Sequence, residues 1–296
     1  MCFISLLIIS LLLNSCGNEE LEAVKIIVPN GTPYLAVAGL LNDDRVIIDA
    51  VSGTDGLDAA LVSGSHDIVI APINLGVNRY NSGNSKYRVS HILTINNAYI
   101  VTKSENKLDS IVDLTGKSVL GFGAKGIPGN LLKKVYSQNM LDVSNIDFKY
   151  SSSANVYSDF SGLKTSSDYA LMSEPEISKL IVNDKLDIKT LDLSSMVDFD
   201  VVQACVFINP DTSKSRLDNV LASIKENVLK LNNDPTNYID KILPLDRVFS
   251  LTGREVLIHS IPKTNIVFKE AKANKGDIEN ILSMLGVTLP NEEFYC

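Results

Sequence analysis

The feature of this sequence that most limits its possible folds is a repeated alternation of short apolar strands with helical segments. Strands are predicted at 25–28, 46–51 and 67–71, and a helical pattern follows each of the first two. The third is apolar on both faces, which is typical of a parallel sheet covered by helices. Strands that alternate with helices of about ten residues predict an α/β fold.

The alternation pauses and then restarts, which predicts two structural units. Two strand-like runs, 87–94 and 98–102, separate the two series, and the C-terminal third is mostly helical with one extended stretch at 265–268. Further strands are predicted at 118–122, 146–150, 169–172 and 201–208, and helices at 33–42, 57–62, 128–140, 155–164, 175–182, 216–231, 238–243, 254–260 and 277–285. A chain of this length suits two lobes of about 100 to 150 residues each.

Composition excludes several classes of protein. The hydrophobic content is 45% and the charged content 21%, as in ordinary globular proteins. The net charge of −8 argues against nucleic-acid binding, which needs a basic surface. Beyond the N-terminal segment no apolar run reaches 18 residues, so no transmembrane span is predicted.

Histidine and cysteine spacing gives no indication of a metal or a cofactor. His66, His91 and His259 are scattered, without the spacing of a zinc site or of a Cys/His catalytic pair. Cys205 lies in a strand-like run and Cys296 is the last residue. A disulfide between them stays open as an alternative if the chain is exported, although two free thiols are favoured.

The N-terminal segment resembles the lipobox of bacterial lipoproteins. Residues 1–13 are almost purely apolar and run into Leu-Asn-Ser-Cys, with the cysteine at Cys16. This run is too short to cross a hydrocarbon core of ~30 Å, but it has the length of a signal peptide's apolar region. The resemblance implies removal of residues 1–15, lipidation of Cys16, and a polar leash over 16–22. An uncleaved membrane anchor or a buried N-terminal helix are the alternatives.

Four further segments have an order and spacing that match one known fold. The sequence LDSIVDLTGKSV at 108–119 is similar to the L-x-D-L-x-G-K segment that opens the second lobe of type II periplasmic-binding-protein folds. The turn at 29–33, the D-I-V-I-A-P strand at 67–72 and the A-L-M-S-E-P strand end at 170–175 agree with that fold in order and spacing. Together the four segments resemble the solute-binding lipoproteins of ABC importers, nearest to the nitrate, sulfonate, taurine and thiamine-precursor group.

The resemblance implies a two-lobed α/β architecture of the type II periplasmic-binding-protein kind. Each lobe is expected to be a mixed sheet flanked by helices, with lobe one at 23–97 plus 205–296 and lobe two at 98–204. The chain is then expected to cross between lobes near 96–98 and 202–204, in extended segments. Ligands of open α/β sheets bind beyond the carboxyl ends of the strands, so two facing lobes form one cleft that closes by hinge bending.

The strand ends that face this cleft supply the candidate ligand contacts. They are Gly31, Thr32, Pro33, Tyr34, Gly53, Thr54, Pro72, Ile73 and Asn74 from lobe one, Asn97 and Tyr99 near the crossing, and Gly123, Ala124, Lys125, Gly126, Ile127, Ser173 and Glu174 from lobe two. The Gly-Thr pairs offer backbone N–H groups ahead of helices, which suit an anionic group, although ordinary helix capping is the alternative.

Three candidates have a structural alternative of their own. Tyr34 and Tyr99 are expected either to flank the cleft or to be half-buried tyrosines whose hydroxyl groups are satisfied. Glu174 either receives a donor group of the ligand or caps the helix that follows it.

The segment 121–126 matches G-x-G-x-x-G after a strand and before a helix. A dinucleotide site would also need an acidic residue at the next strand end, about 20 positions on, and neither Asp142 nor Asp147 ends a strand. A glycine-rich loop that presents N–H groups to a ligand is favoured, and no cofactor is predicted.

The expected function is capture of a small-molecule ligand and its delivery to an ABC permease. The resemblance implies a monomer, anchored by lipid on the outer face of the cytoplasmic membrane, that performs no covalent chemistry. An enzyme of the dehydratase kind on the same scaffold is the alternative, with Glu174 as the nearest acid or base. A structural or adhesive surface lipoprotein is a third hypothesis, and a filled interface between the lobes would favour it.

Overall fold

A computed structural model describes residues 22–162 and 167–296. The strands are β1 Val24–Pro29, β2 Val46–Val51, β3 Ile68–Pro72, β4 Arg88–Ile95, β5 Tyr99–Lys103, β6 Ser118–Gly121, β7 Asp147–Tyr150, β8 Tyr169–Met172, β9 Ile188–Asp192, β10 Val202–Ile208 and β11 Ile266–Glu270. The α-helices are α1 Thr32–Val37, α2 Asp55–Ser63, α3 Ile73–Asn81, α4 Ile127–Gln138, α5 Ser153–Ser161, α6 Glu176–Val182, α7 Lys214–Asn233, α8 Pro235–Ile242, α9 Arg247–Thr252, α10 Arg254–Thr264 and α11 Lys275–Met284.

Several predictions fall on the chain outside these ranges. The signal segment 1–15, the lipidation site Cys16 and the leash as far as residue 21 lie outside the described residues. The predicted end of one helix at Lys164 does so too. Within the described ranges no helix is both long and apolar enough to span a membrane.

The strands form two mixed sheets. The first has the order β11-β4-β10-β3-β1-β2, with β1 parallel to β2 and β3 and with β10 antiparallel to both β3 and β4. The second has the order β7-β6-β8-β5-β9, with β6 parallel to β7 and β8 and with β5 antiparallel to β8 and β9. The predicted α/β class with two mixed sheets is confirmed.

The chain crosses between the sheets twice. It leaves the first sheet after β4 and enters the second at β5, and it returns between β9 and β10. Val202 already pairs with Ile95 in the first sheet, and Ala204 pairs with Thr94. The predicted boundary at 204/205 therefore falls inside a strand of the first sheet.

A hydrogen-bonded cluster ties the two crossings together. Asn96, in the left-handed region at φ 49, accepts a bond from the Val201 N–H at 2.7 Å and donates its amide to Asp200 at 3.1 Å. Lys269 of β11 donates to the other carboxylate oxygen of Asp200 at 2.6 Å, and this bond lowers the pKa of Asp200. Asn265, just before β11, donates to the Asn96 carbonyl at 2.7 Å. The end of α10 and the start of β11 therefore brace both crossings.

Three elements, α3, β9 and α9, were not predicted from the sequence. The segment that forms α3 contains Gly76 and three asparagines, which are poor helix formers, but it packs on β10. β9 is half exposed, with lysine and threonine among its five residues, so its pattern is weak. α9 has only six residues.

The two body cysteines do not pair. Cys205 is fully buried in β10 as a free thiol, and the Cys296 thiol, also free, donates to the Val89 carbonyl at 3.2 Å. The disulfide alternative is therefore not realised.

Candidate ligand-binding cleft

A cavity of about 830 Å³ lies between the two sheets. Its walls come from segments that follow β1, β2 and β3 of the first sheet and β6, β7 and β8 of the second, together with α9 and α10. All six of these strands belong to parallel pairs, so their carboxyl ends face the cavity. Its volume is within the range of about 300 to 1,000 Å³ that is usual for small-molecule sites.

The structure brings most of the predicted site residues together around this cavity. Those that line it are Gly31, Thr32, Pro33, Gly53, Thr54, Pro72, Asn74, Asn97, Gly123, Gly126, Ile127, Ser173 and Glu174. The rule that ligands bind beyond the carboxyl ends of the strands, which we call the strand-end rule, therefore located both walls of the cavity.

The two predicted tyrosines do not line the cavity. The Tyr34 hydroxyl donates to Asp246 at 2.7 Å and its ring packs on Phe249. The Tyr99 hydroxyl donates to the Lys263 carbonyl at 3.2 Å, and burial, with nearby carboxylates, raises its pKa to about 12. Both therefore match the structural alternative, a tyrosine whose hydroxyl is satisfied within the protein.

Three other predicted residues also lie outside the lining. Ile73 is fully buried where α3 packs against the sheet. Lys125 is exposed and Ala124 is half-buried, so the tip of the glycine-rich loop turns away from the cavity while Gly123 and Gly126 face it.

The lining residues that sequence reasoning missed include two groups with different explanations. Phe122, Ser153 and Ala154 follow β6 and β7, so the same strand-end rule would have found them. Val248 and Phe249, like Thr252, belong to the unpredicted helix α9. The second group had no usable sequence signal because its helix is short.

Hydrogen bonds join the two lobes at the base of the cleft. Asn97 accepts a bond from the Glu174 N–H at 2.8 Å and donates to the Glu174 carbonyl at 3.2 Å. Thr32, which follows β1, donates to the same carbonyl at 3.2 Å. Gln203 of β10 donates to the Asn97 carbonyl at 3.1 Å. Three of these residues, Thr32, Asn97 and Glu174, are buried, and we call them the junction.

The Glu174 carboxyl group points toward α6 and is 2% exposed. One oxygen, Oε2, accepts a bond from the Ser178 N–H at 3.0 Å, so the helix-capping alternative describes it. The other, Oε1, has no hydrogen-bond partner within the described ranges. Burial raises the pKa of Glu174 above its ordinary value, since a charge there is poorly solvated.

A second contact between the lobes lies beside this carboxyl group. Ser178 on α6 lies 2.9 Å, Oγ to Nδ1, from His259 on α10. Burial and the nearby Lys263 ammonium lower the pKa of His259, so the neutral imidazole is favoured. Helices α6 and α10 thus meet through neutral groups.

Solved structures that share this arrangement include components of ABC transport systems. An ABC transporter from Parabacteroides distasonis is 20% identical, with a TM-score of 0.76 over 93% of this chain and 98% of that chain. The aliphatic sulphonate binding protein SsuA from Escherichia coli is 13% identical, with a TM-score of 0.72 over 90% of this chain and 86% of that chain. The chain has the two-lobed fold of periplasmic binding proteins.

The likeness to these solved structures shows the fold alone. The alkanesulfonate-binding protein SsuA from Xanthomonas axonopodis, solved with MOPS bound, is 16% identical, with a TM-score of 0.65 over 91% of this chain and 94% of that chain. No protein-family model matches the chain, and no curated protein does. The chemistry of the cleft therefore has to be derived from its own residues.

Glu174→Gln should change how stability depends on pH. A carboxyl group whose pKa is raised by folding contributes stability that is complete below its unfolded pKa, ordinarily 4.5, and is lost as the pH rises through the folded value. Glutamine keeps an acceptor for the Ser178 N–H but cannot ionise. As the pH increases from about 4 to about 7, the melting temperature of Glu174→Gln should rise relative to that of wild type. The rise should be roughly 2–4 °C for each kcal/mol of stability that wild type loses when Glu174 ionises.

Glu105→Gln, on an exposed turn, is the matched control, and its difference from wild type should stay constant over the same range. His259 is present in all three proteins, so its own titration cancels in the comparison to first order. A pH-independent difference between Glu174→Gln and wild type would show that Glu174 does not ionise against a burial penalty.

Proposed function

We propose that this protein is the solute-binding component of an ABC importer, which captures a small molecule between its lobes and presents it to a membrane permease. The cavity between the two sheets is the observation that carries the proposal, because it gathers strand ends from both lobes. Solved neighbours of the same fold are described as an ABC transporter and as sulfonate-binding proteins. Affinity in such a site comes from burial of the ligand and from a few fixed polar groups.

The chemistry at the cavity favours binding over catalysis. Glu174 is the buried acid that lines the cavity, but one of its oxygens caps α6 and the other is buried. His259 does not line the cavity and is bonded to Ser178. Neither group is placed to exchange a proton with a ligand in the cavity.

Asn74 offers a direct test of the site. It lies in the first turn of α3, lines the cavity, and its side chain has no hydrogen-bond partner within the described ranges. Asn74→Ala should therefore leave the melting temperature of the free protein nearly unchanged. It should weaken ligand binding by roughly 3- to 10-fold, which corresponds to the loss of one hydrogen bond of about 0.5–1.5 kcal/mol.

The measurement is isothermal titration with whichever ligand raises the melting temperature in a screen of small nutrients. Asn78→Ala, on the exposed face of the same helix, is the control and should bind as wild type does. Equal affinities for Asn74→Ala and Asn78→Ala would place the ligand away from this cavity.

We further propose that Cys16 carries a lipid that anchors the protein, as a monomer, to the outer face of the cytoplasmic membrane. The apolar segment and the cysteine directly after a small residue support this proposal. Metabolic labelling with a palmitate analogue should mark the wild-type protein and not Cys16→Ala, which should leave the membrane fraction. Equal labelling and equal membrane retention of the two would contradict the anchor.

A further inference from the structure

The two lobes meet through a pair of helices as well as through the junction. Helix α6 of the second lobe begins close after Glu174, and α10 belongs to the first lobe. The two helices pack against each other, and the contact between Ser178 and His259 crosses their interface. We call the arrangement in which α6 and α10 touch, as they do in the structure, the closed form. A motion that parts the two helices brings water to the side chains between them.

The Glu174 carboxyl group is poorly provided for as a buried anion. Its Oε2 atom accepts a bond from the Ser178 N–H, and its Oε1 atom accepts none within the described ranges. A carboxylate taken out of water keeps its charge at low cost only when a cation or several donors surround it. The closed form therefore favours the protonated carboxyl group, and contact with water favours the ionised one.

The ionisable groups that face Glu174 come from three elements. Lys263 on α10 favours the carboxylate, and Glu176 on α6 opposes it. Tyr99 on β5 also lies near, but its hydroxyl donates to the Lys263 carbonyl and its pKa is raised to about 12, so it stays neutral. The other two junction residues are uncharged. Burial outweighs the effect of Lys263, and the pKa of Glu174 is raised above its ordinary value.

His259 lies in the same interface and is also favoured there in its neutral form. Its Nδ1 atom is 2.9 Å from the hydroxyl oxygen of Ser178 on α6. The charged group that faces it is Lys263, one turn further along α10. Protonation of His259 would place a second cation beside Lys263 at a buried contact. Burial and the Lys263 ammonium accordingly lower the pKa of His259.

We propose that the contact between α6 and α10 holds the lobes closed most strongly while Glu174 and His259 are both uncharged, so that ionisation of either group promotes opening of the cleft. The contact is then a pH-sensitive device between the lobes. This inference rests on the proposed function, since closing and opening of the cleft retain and release the ligand. It adds to that function a means by which the pH outside the cell regulates retention.

The two ionisations act at opposite ends of the pH scale. The pKa of Glu174 is raised in the closed form, so its contribution to closure is complete below the ordinary 4.5 and is lost as the pH rises through the raised value. The pKa of His259 is lowered in the closed form, so its contribution is complete above the ordinary 6.5 and is lost as the pH falls through the lowered value. Each group changes the closed-to-open ratio by at most about ten-fold per pH unit, because one proton is involved.

Fluorescence energy transfer across the cleft measures the closed-to-open ratio of the full chain without any ligand. Azidophenylalanine at positions 125 and 251, two exposed sites beside the cleft on opposite lobes, carries the dyes and leaves the native cysteines unlabelled. The ratio of wild type divided by that of Glu174→Gln should fall as the pH rises from 4.5 to 8. The ratio of wild type divided by that of His259→Gln should fall as the pH decreases from 6.5 to 4.5. Each quotient isolates one group, since the other titrates in both proteins.

Two controls carry the same substitutions away from the interface. Glu105 lies on an exposed turn, and His66 is bonded to Asp49 within the first lobe. The quotients for Glu105→Gln and His66→Gln should not change with pH. Glu174→Met and His259→Asn, which cannot become charged in this way or lose the same ring, replace a glutamine variant that does not fold.

A quotient for Glu174→Gln or for His259→Gln that is constant with pH, or that changes in the opposite direction, overturns the inference. Either result leaves the proposed function standing, because that function is tested by ligand titration of the Asn74→Ala and Asn78→Ala variants at a single pH. Loss of the proposed function would instead appear as failure of every nutrient in the screen, with the pH dependence of energy transfer unaffected.

Discussion

The hydrogen bonds among Thr32, Asn97 and Glu174 are the contact on which the rest of the structure depends. They join the end of the first strand, a crossing segment and the end of a second-lobe strand at one buried point. A buried polar group that loses its partner costs about 1–3 kcal/mol, so these bonds hold strongly to one geometry. That geometry brings the two rows of strand ends to face each other, and a cavity results. The brace of Asn96, Asp200 and Asn265 then fixes where the chain bends between lobes.

Hydrogen bonds made within the protein also determine which polar groups the cleft presents to a ligand. The starts of α5 and α6 are capped by Ser152 and Glu174, whereas α1, α3 and α4 have neither a side-chain cap nor an acidic residue in the first turn. Lys179 is held by Glu176. The fold shared with sulfonate-binding proteins does not by itself define the ligand, since function depends on the site and not on the scaffold.

Much of this arrangement was predictable from sequence because it follows from topology. The carboxyl ends of parallel strands meet at one edge, so residues such as Gly31, Thr54 and Ser173 could be placed at the cleft without coordinates. Tyr34 and Tyr99 could not be placed in this way, since their side chains turn toward Asp246 and the Lys263 carbonyl, partners far away in sequence. The cap that Ser152 places on α5 was equally hidden, because it depends on an individual hydrogen bond, whereas the cap that Glu174 places on α6 was one of its two predicted alternatives.

Hydrogen–deuterium exchange with and without a bound ligand tests the account most directly, because it reports on both lobes in one experiment. The account predicts slower exchange at once in the segments 30–35 and 73–76 of the first lobe and 122–130 and 153–156 of the second. Protection confined to one lobe, or to a surface away from these segments, would contradict a ligand held between two lobes joined by Thr32, Asn97 and Glu174.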